Sequence, residues 1–239
     1  MRHAKILFAV TFGLFLIFSG VSMGYQQEEQ DNATYQESEE EKYSYDEALQ
    51  LLRNGDAEAA ASGFESLIEA KPEHVPAHIN LARAYLEMSN YDEAENAISK
   101  AIELEPENGD AYLVQGRIYH SIDRLDEAAN AYRQSVELNE HNAYALNNLG
   151  YAYIQMEQFE EAIPVLEQAV GQRDDVHFFY NNLGIAYMNT DQLEKAVDAF
   201  QSALDINPDY DRAEQNLSIA QEQLEEERET ELSERLETE

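Results

Sequence analysis

The chain has 239 residues, with 15 Lys+Arg against 49 Asp+Glu and a formal net charge of −34. That balance argues against nucleic acid as a partner, because such a binder must neutralise phosphates, and against electrostatic docking on an anionic membrane surface. Cysteine is absent, which removes disulfides, thiolate metal sites, a cysteine nucleophile and lipid attachment through sulfur.

In chain order, the first 24 residues stand apart. Arg2 and Lys5 precede the uncharged run ILFAVTFGLFLIF, residues 6–18, followed by the small-residue stretch SGVSMG. A basic start, an apolar centre and small residues read as a secretory signal cleaved after Gly24, with Ser22 three positions before the new end. The rival reading is an uncleaved anchor, since the run stretches to Met23 and just reaches a spanning length. Either reading places the remainder outside the cytoplasm, with basic residues before the run and acids after it. Such a domain is periplasmic in a host with an outer membrane and otherwise secreted or anchored. Residues 25–40, YQQEEQDNATYQESEE, carry almost no aliphatic side chains and read as a flexible acidic linker. Asn32-Ala-Thr34 fits the N-glycosylation triplet, which matters only in a host that glycosylates.

From residue 41 the chain repeats every 34 residues, with phases at 41, 75, 109, 143 and 177. The eleventh position holds Leu51, Tyr85, Tyr119, Tyr153 and Tyr187, and the twentieth holds Ala60, Ala94, Ala128, Ala162 and Ala196. The twenty-fourth holds Phe64, Ile98, Tyr132, Leu166 and Phe200. Apolar spacing within a period is helical: Leu81, Tyr85 and Leu86 make one face, and Ala94, Ile98, Ala101 and Ile102 another. Pairs such as Gly55-Asp56, Ser89-Asn90, Asp123-Arg124 and Asp191-Gln192 punctuate the middle of each period. Pro72, Pro106 and Pro208 end the second helix, because the ring removes a donor and bars continuation. Each period is therefore a helical hairpin. Gly or Ala at the eighth position and Ala at the twentieth let two backbones approach, and the eleventh-position aromatic is expected to fill the gap beside them. One hairpin cannot bury both faces, so hairpins stack.

This Leu-Gly, Tyr, Ala, aromatic, Ala, Pro pattern at a 34-residue period resembles the tetratricopeptide repeat (TPR) family over residues 41–210. The unit 143–176 lacks the terminal proline. The unit 109–142 has Gln115 for leucine and Ser135 for the later alanine, and in the unit 41–74 the second helix, 57–70, is better marked than the first. The resemblance implies an all-α fold: a right-handed α-solenoid of about five TPR hairpins, 41–74, 75–108, 109–142, 143–176 and 177–210, with a concave groove lined by each first helix. Ala213, Leu217, Ala220 and Leu224 form a stripe with no hairpin after it, so 211–239 reads as a C-terminal capping helix with an acidic tail. Leu232 and Leu236 project into solvent or meet a partner helix.

In the family's geometry, positions 2, 5, 6, 9, 12 and 13 of each first helix face the groove. Position 6 holds Asn80, Val114, Asn148 and Asn182, then Asn216 in the capping helix. A carboxamide pairs with both groups of a peptide unit, so these amides are candidates to grip an extended backbone. Each net bond contributes about 0.5–1.5 kcal/mol, so four rungs give roughly micromolar binding after association entropy. The competing reading is that Asn ties adjacent helices together. Position 9 holds Arg83, Arg117, Tyr151 and Ile185, and with His120 at position 12 the arginines suit a carboxylate; local pairing, as of Arg83 with Glu87, is the alternative. Tyr144 and Phe178 at position 2, with Tyr151 and Ile185, make the C-terminal half apolar and offer binding anchors. Asn147 and Asn181 stand at position 5, where earlier units carry Ile79 and Leu113.

No nucleophile motif, phosphate loop, HExxH or calcium-loop spacing occurs, so no catalytic residue, metal ligand or cofactor is assigned and the chain reads as a non-enzyme. His74 and His78 flank a proline at a repeat boundary and read as helix-end residues. The sequence reads as a protein-interaction scaffold that takes an extended peptide or partner protein in its groove, within a cell-envelope or extracytoplasmic complex. The membrane enters only through the N-terminal segment if it stays uncleaved. The alternative is a self-associating structural protein that uses its terminal helix or array ends.

Overall fold

The computed structural model describes residues 45–238. The apolar run, the acidic linker and the Asn32 triplet lie outside the described residues. The chain divides into two compact units, Met1–Pro72 and Glu73–Glu239. All regular structure among the described residues is helical.

In the first unit, α1 (45–53) and α2 (Ala57–Ala70) form one hairpin. Tyr45 tilts against the buried Phe64 ring at 5.9 Å, and a Cβ on Gly63 would stand 2.8 Å from that of Ala48. In the second unit four hairpins follow: α3 (Val75–Glu87) with α4 (Tyr91–Leu104), α5 (Gly109–Ser121) with α6 (Leu125–Leu138), α7 (Ala143–Gln155) with α8 (Phe159–Gln172), and α9 (His177–Met188) with α10 (Leu193–Ile206). The last helix, α11 (Asp211–Thr238), packs on α9 and α10. Within this unit each helix packs on its neighbours in sequence, which is the arrangement of an α-solenoid built from hairpins.

The turns share one construction. Ser89, Asp123, Glu157 and Asp191 take positive φ of 56–60°, and Gly55 takes 82°. That left-handed residue lets the next amide reach back to the eleventh-position carbonyl: Asn90 to Tyr85 at 2.8 Å, Arg124 to Tyr119 at 2.9 Å, Gln158 to Tyr153 at 2.8 Å and Gln192 to Tyr187 at 2.9 Å. Three of the first helices, α3, α5 and α7, start on side-chain caps, while α9 follows Val176 without one. His74 Nδ1, Asn108 Oδ1 and Asn142 Oδ1 each accept the amide three residues on, at 3.1 Å. His74 is therefore a helix cap, and no group of three metal-ligating side chains gathers among the described residues.

In the three hairpins with glycine at the eighth position, that residue meets the twenty-fourth. A Cβ on Gly116 would stand 2.5 Å from the Tyr132 ring, one on Gly184 would stand 2.5 Å from Phe200, and one on Gly150 would overlap Leu166. The bulky residue at the twenty-fourth position thus fills the space opposite the glycine. The eleventh-position Tyr187 packs in one buried cluster with Ala196 of its own hairpin, and Tyr153 and Tyr187 also reach the second helix of the preceding hairpin. Tyr153 Oη accepts from Arg133 at 3.0 Å, and Tyr187 donates to Glu167 at 2.5 Å. Tyrosine at this position therefore joins hairpins, because its hydroxyl needs a polar partner at the edge of the buried layer.

Ser135 occupies the site that holds Ala101, Ala169 and Ala203 in the other hairpins of the second unit, and Leu67 in the first hairpin. It is fully buried, and its hydroxyl has no hydrogen-bond partner among the described residues.

Three substitutions test this packing by denaturant unfolding. Gly184→Ala is expected to cost about 1–3 kcal/mol, because the buried Phe200 ring cannot yield. Gly171→Ala, a helical glycine with nothing within 4 Å of its added Cβ, is expected to stabilise by about 0.5–1 kcal/mol from propensity alone. Ser135→Ala is expected to stabilise by about 1 kcal/mol by removing an unsatisfied hydroxyl.

Candidate functional site

The first helices of the second unit carry two adjoining hollows. One, of about 420 Å³, is walled by Arg117, His120 and Ser121 of α5 and by Asn148 and Tyr151 of α7, with Leu86, Glu87 and Tyr132 closing it. The other, of about 500 Å³, is walled by Asn147, Asn148 and Tyr151 of α7 and by Phe178, Asn181, Asn182 and Ile185 of α9. Tyr210, Arg212, Gln215 and Asn216 complete it. Asn148 and Tyr151 belong to both, so the hollows form one continuous face.

The asparagines are organised in pairs. Asn182 Nδ2 donates to Asn147 Oδ1 at 2.9 Å, and Asn216 Nδ2 donates to Asn181 Oδ1 at 3.0 Å. Asn147 Nδ2 lies 3.4 Å from Asn148 Oδ1. Position 6 of one hairpin thus bonds position 5 of the hairpin before it, a separation of 35 residues. The corresponding positions earlier in the chain hold Ile79 and Val114, both buried. Apolar side chains at the first such boundary, and Leu113 with Asn148 at the second, are therefore replaced by an amide pair at the last two. Asn147, Asn181 and Asn182 are 3%, 4% and 8% exposed, so an amide there must be paired. Asn148 is half-buried and lines both hollows, which leaves it more open to a ligand than Asn147, Asn181 and Asn182.

The basic residues separate. Arg83 donates to Asn80 Oδ1 at 3.0 Å, while Asn80 Nδ2 donates to the Pro76 carbonyl at 3.0 Å. Neither lines the two hollows. Arg117 and His120 share one hollow. The His120 ring hydrogen-bonds Gln155 and tilts against Tyr151 at 5.5 Å. Burial pushes the Tyr132 phenol above its usual range, and the Arg117 cation opposes that shift. Arg117 and Arg212 are exposed and make no ion pair among the described residues.

Tyr144 lies outside both hollows. Its hydroxyl accepts from Arg173 at 3.0 Å, and its exposed ring stands 6.5 Å from Phe178. Arg173 in turn holds the Asp175 carboxyl below its usual range through a hydrogen bond. Phe178 begins a run of rings that passes through His177, 5.6 Å away, to Tyr210, 4.6 Å further.

Sequence reasoning missed Tyr210, Arg212 and Gln215. The signal for two of them is present: Arg212 and Gln215 occupy positions 2 and 5 if the 34-residue phase is carried into α11.

These features define a helical-hairpin repeat protein whose first helices present a polar and aromatic face. Models of the tetratricopeptide repeat match residues 51–118, 143–175 and 178–210, and a TPR repeat model matches 116–157, together more than half of the chain. The chain belongs to the tetratricopeptide repeat family. A search of curated proteins gives no match in sequence. Among solved structures, a MamA protein superposes with a TM-score of 0.60 at 23% identity, over 70% of this chain and 92% of that one. YrrB, described as a TPR protein with an unusual peptide-binding site, gives 0.58 at 24% over 71% and 88%. TTC0263, a thermophilic TPR protein of Thermus thermophilus, gives 0.62 at 20% over 75% and 98%. At these identities the likeness is one of fold.

The amide pairs are tested by a double-mutant cycle followed by urea unfolding. Asn147→Ile alone is expected to cost about 1–3 kcal/mol by stranding the buried Asn182 amide. Asn147→Ile with Asn182→Val, which copies Ile79 and Val114, is expected to recover most of that loss, with a coupling of about 0.5–3 kcal/mol.

Proposed function

We propose that this protein is an interaction scaffold that holds an extended peptide segment of a partner across the first-helix face between α5 and α11. The observation that carries the proposal is the lining of the larger polar face. In a chain of net charge −34, the hollow between α7, α9 and α11 is walled by amides, rings, Ile185 and Arg212, with no carboxylate. A surface kept clear of the prevailing charge suits a ligand whose backbone needs hydrogen bonds and whose side chains are apolar or acidic.

The roles follow from exposure. Asn148 offers its amide to peptide backbone, while Asn147, Asn181, Asn182 and Asn216 keep the hairpins in register and present their remaining donors and lone pairs. Tyr151, Phe178 and Ile185 anchor apolar side chains. Arg117 with His120, and Arg212 at the far end, attract a carboxylate. The peptide-binding site named for YrrB supports this reading by analogy of fold.

We place the complex in the cell envelope. The support is the basic start, the apolar run 6–18 and the acidic linker that follows. No helix among the described residues is long and apolar enough to cross a membrane, so any anchoring falls to that run.

Peptide-library selection on the protein tests the site. Enrichment is expected for extended peptides that combine an aromatic or aliphatic residue with Asp, Glu or a free C-terminus. Arg212→Ala and Asn148→Ala are each expected to weaken a selected peptide about three- to tenfold. Selection of basic peptides that ignore both substitutions overturns the proposal. Mass analysis of the N-terminus from cells tests the placement: a start at Tyr25 or an intact membrane-bound start agrees with it, and an intact start in the soluble cytoplasmic fraction does not.

A further inference from the structure

The end of the array carries a second surface, independent of the first-helix face. In the three hairpins with a glycine at the eighth position, that residue is buried under its own second helix: Gly116 under Tyr132, Gly150 under Leu166 and Gly184 under Phe200. In α11 the same position is Ser218, and it is exposed. At the point where each earlier first helix turns back, α11 runs straight on to Thr238. No second helix covers it among the described residues.

The straight run leaves a trough of about 760 Å³ between α10 and α11, extending from Gln221 to Leu232. That span is about 16 Å of helix, or three turns. Its apolar residues are Val197, Leu224 and Leu232, the last 59% exposed. Its rim is acidic: Glu194 and Asp198 stand on one side, Glu225 and Glu229 on the other. Arg228 spans the trough to Glu194 at 3.4 Å, the single basic residue in the lining.

We infer that this trough is a docking site for an amphipathic helix of a second protein, with a short leucine-type stripe flanked by Lys or Arg. The apolar strip asks for a helix face of matching width. The four carboxylates on its rims select the sign of the flanks. A second copy of this chain fails that selection, because its own terminal helix reads EEERETELSERLETE and would set carboxylate against carboxylate. The acidic segment 25–40 fails for the same reason.

The test is fluorescence anisotropy with three labelled peptides against the whole protein. The first carries leucines at helical spacing with lysine flanks, the second replaces lysine by glutamate, and the third scrambles the first. The first is expected to bind about tenfold or more tighter than either of the others. Leu232→Gln, and Glu225→Lys with Glu229→Lys, are expected to weaken it about tenfold. Glu107→Lys with Glu160→Lys, which makes the same charge change at sites elsewhere on the surface, is expected to leave it unchanged. Equal binding of the scrambled peptide, or equal loss from both charge-reversed pairs, reduces the effect to general polyanion attraction and overturns the inference. A dimer in light scattering that dissociates on Leu232→Gln overturns it in favour of a second copy. Leu232 is exposed, so a circular dichroism spectrum unchanged by its substitution keeps the comparison valid.

Discussion

The second unit depends on one contact made three times: a glycine at the eighth position of a hairpin pressed against a bulky buried residue at the twenty-fourth. The glycine exists to be small, and Tyr132, Leu166 or Phe200 exists to fill what it leaves. This sets how closely the two helices approach. The approach sets where the eleventh-position tyrosine emerges, at the seam with the previous hairpin, where Arg133 and Glu167 receive it. It also fixes which side of each first helix is left over. The proposed binding face is that remaining side, and Tyr132 belongs both to the packing contact and to the wall of one hollow.

The seams between hairpins are chemically uneven. At Ile79 and Val114 the junction is apolar, while at Asn147 with Asn182 and at Asn181 with Asn216 it is a carboxamide pair. A buried amide pair specifies register more sharply than an aliphatic contact, because a slip leaves a donor unsatisfied. It also leaves a second donor and a second lone pair on each amide. The C-terminal seams thereby join hairpins and furnish a polar floor at once. An apolar seam cannot combine those roles.

Much of this was legible from phase alone. The turns at residues 89, 123, 157 and 191, the helix ends before Pro106 and Pro208, and the stripe Ala213, Leu217, Ala220 and Leu224 all follow from a period of 34 and simple propensities. The candidate face was legible in part: Asn148, Tyr151, Phe178, Asn182 and Ile185 share a hollow as their common phase implies. The separation of Arg83 from Arg117 was not legible, because it turns on Asn80 capturing one guanidinium locally. The contribution of Arg212 and Gln215 was legible only with α11 treated as a sixth first helix, at positions 2 and 5 of the phase.

The sequence by itself determined the hairpin, its length, its small-against-large packing pair and the excess of acid. Those are properties of spacing and residue type, and each acts within one turn or one repeat. Only the tertiary structure decided what each asparagine bonds. A carboxamide can donate or accept with several partners, and its actual partner is chosen by which hairpin stands 35 residues away. The structure likewise decided that α11 runs on with no covering helix among the described residues, which turned an acidic tail into one wall of a trough.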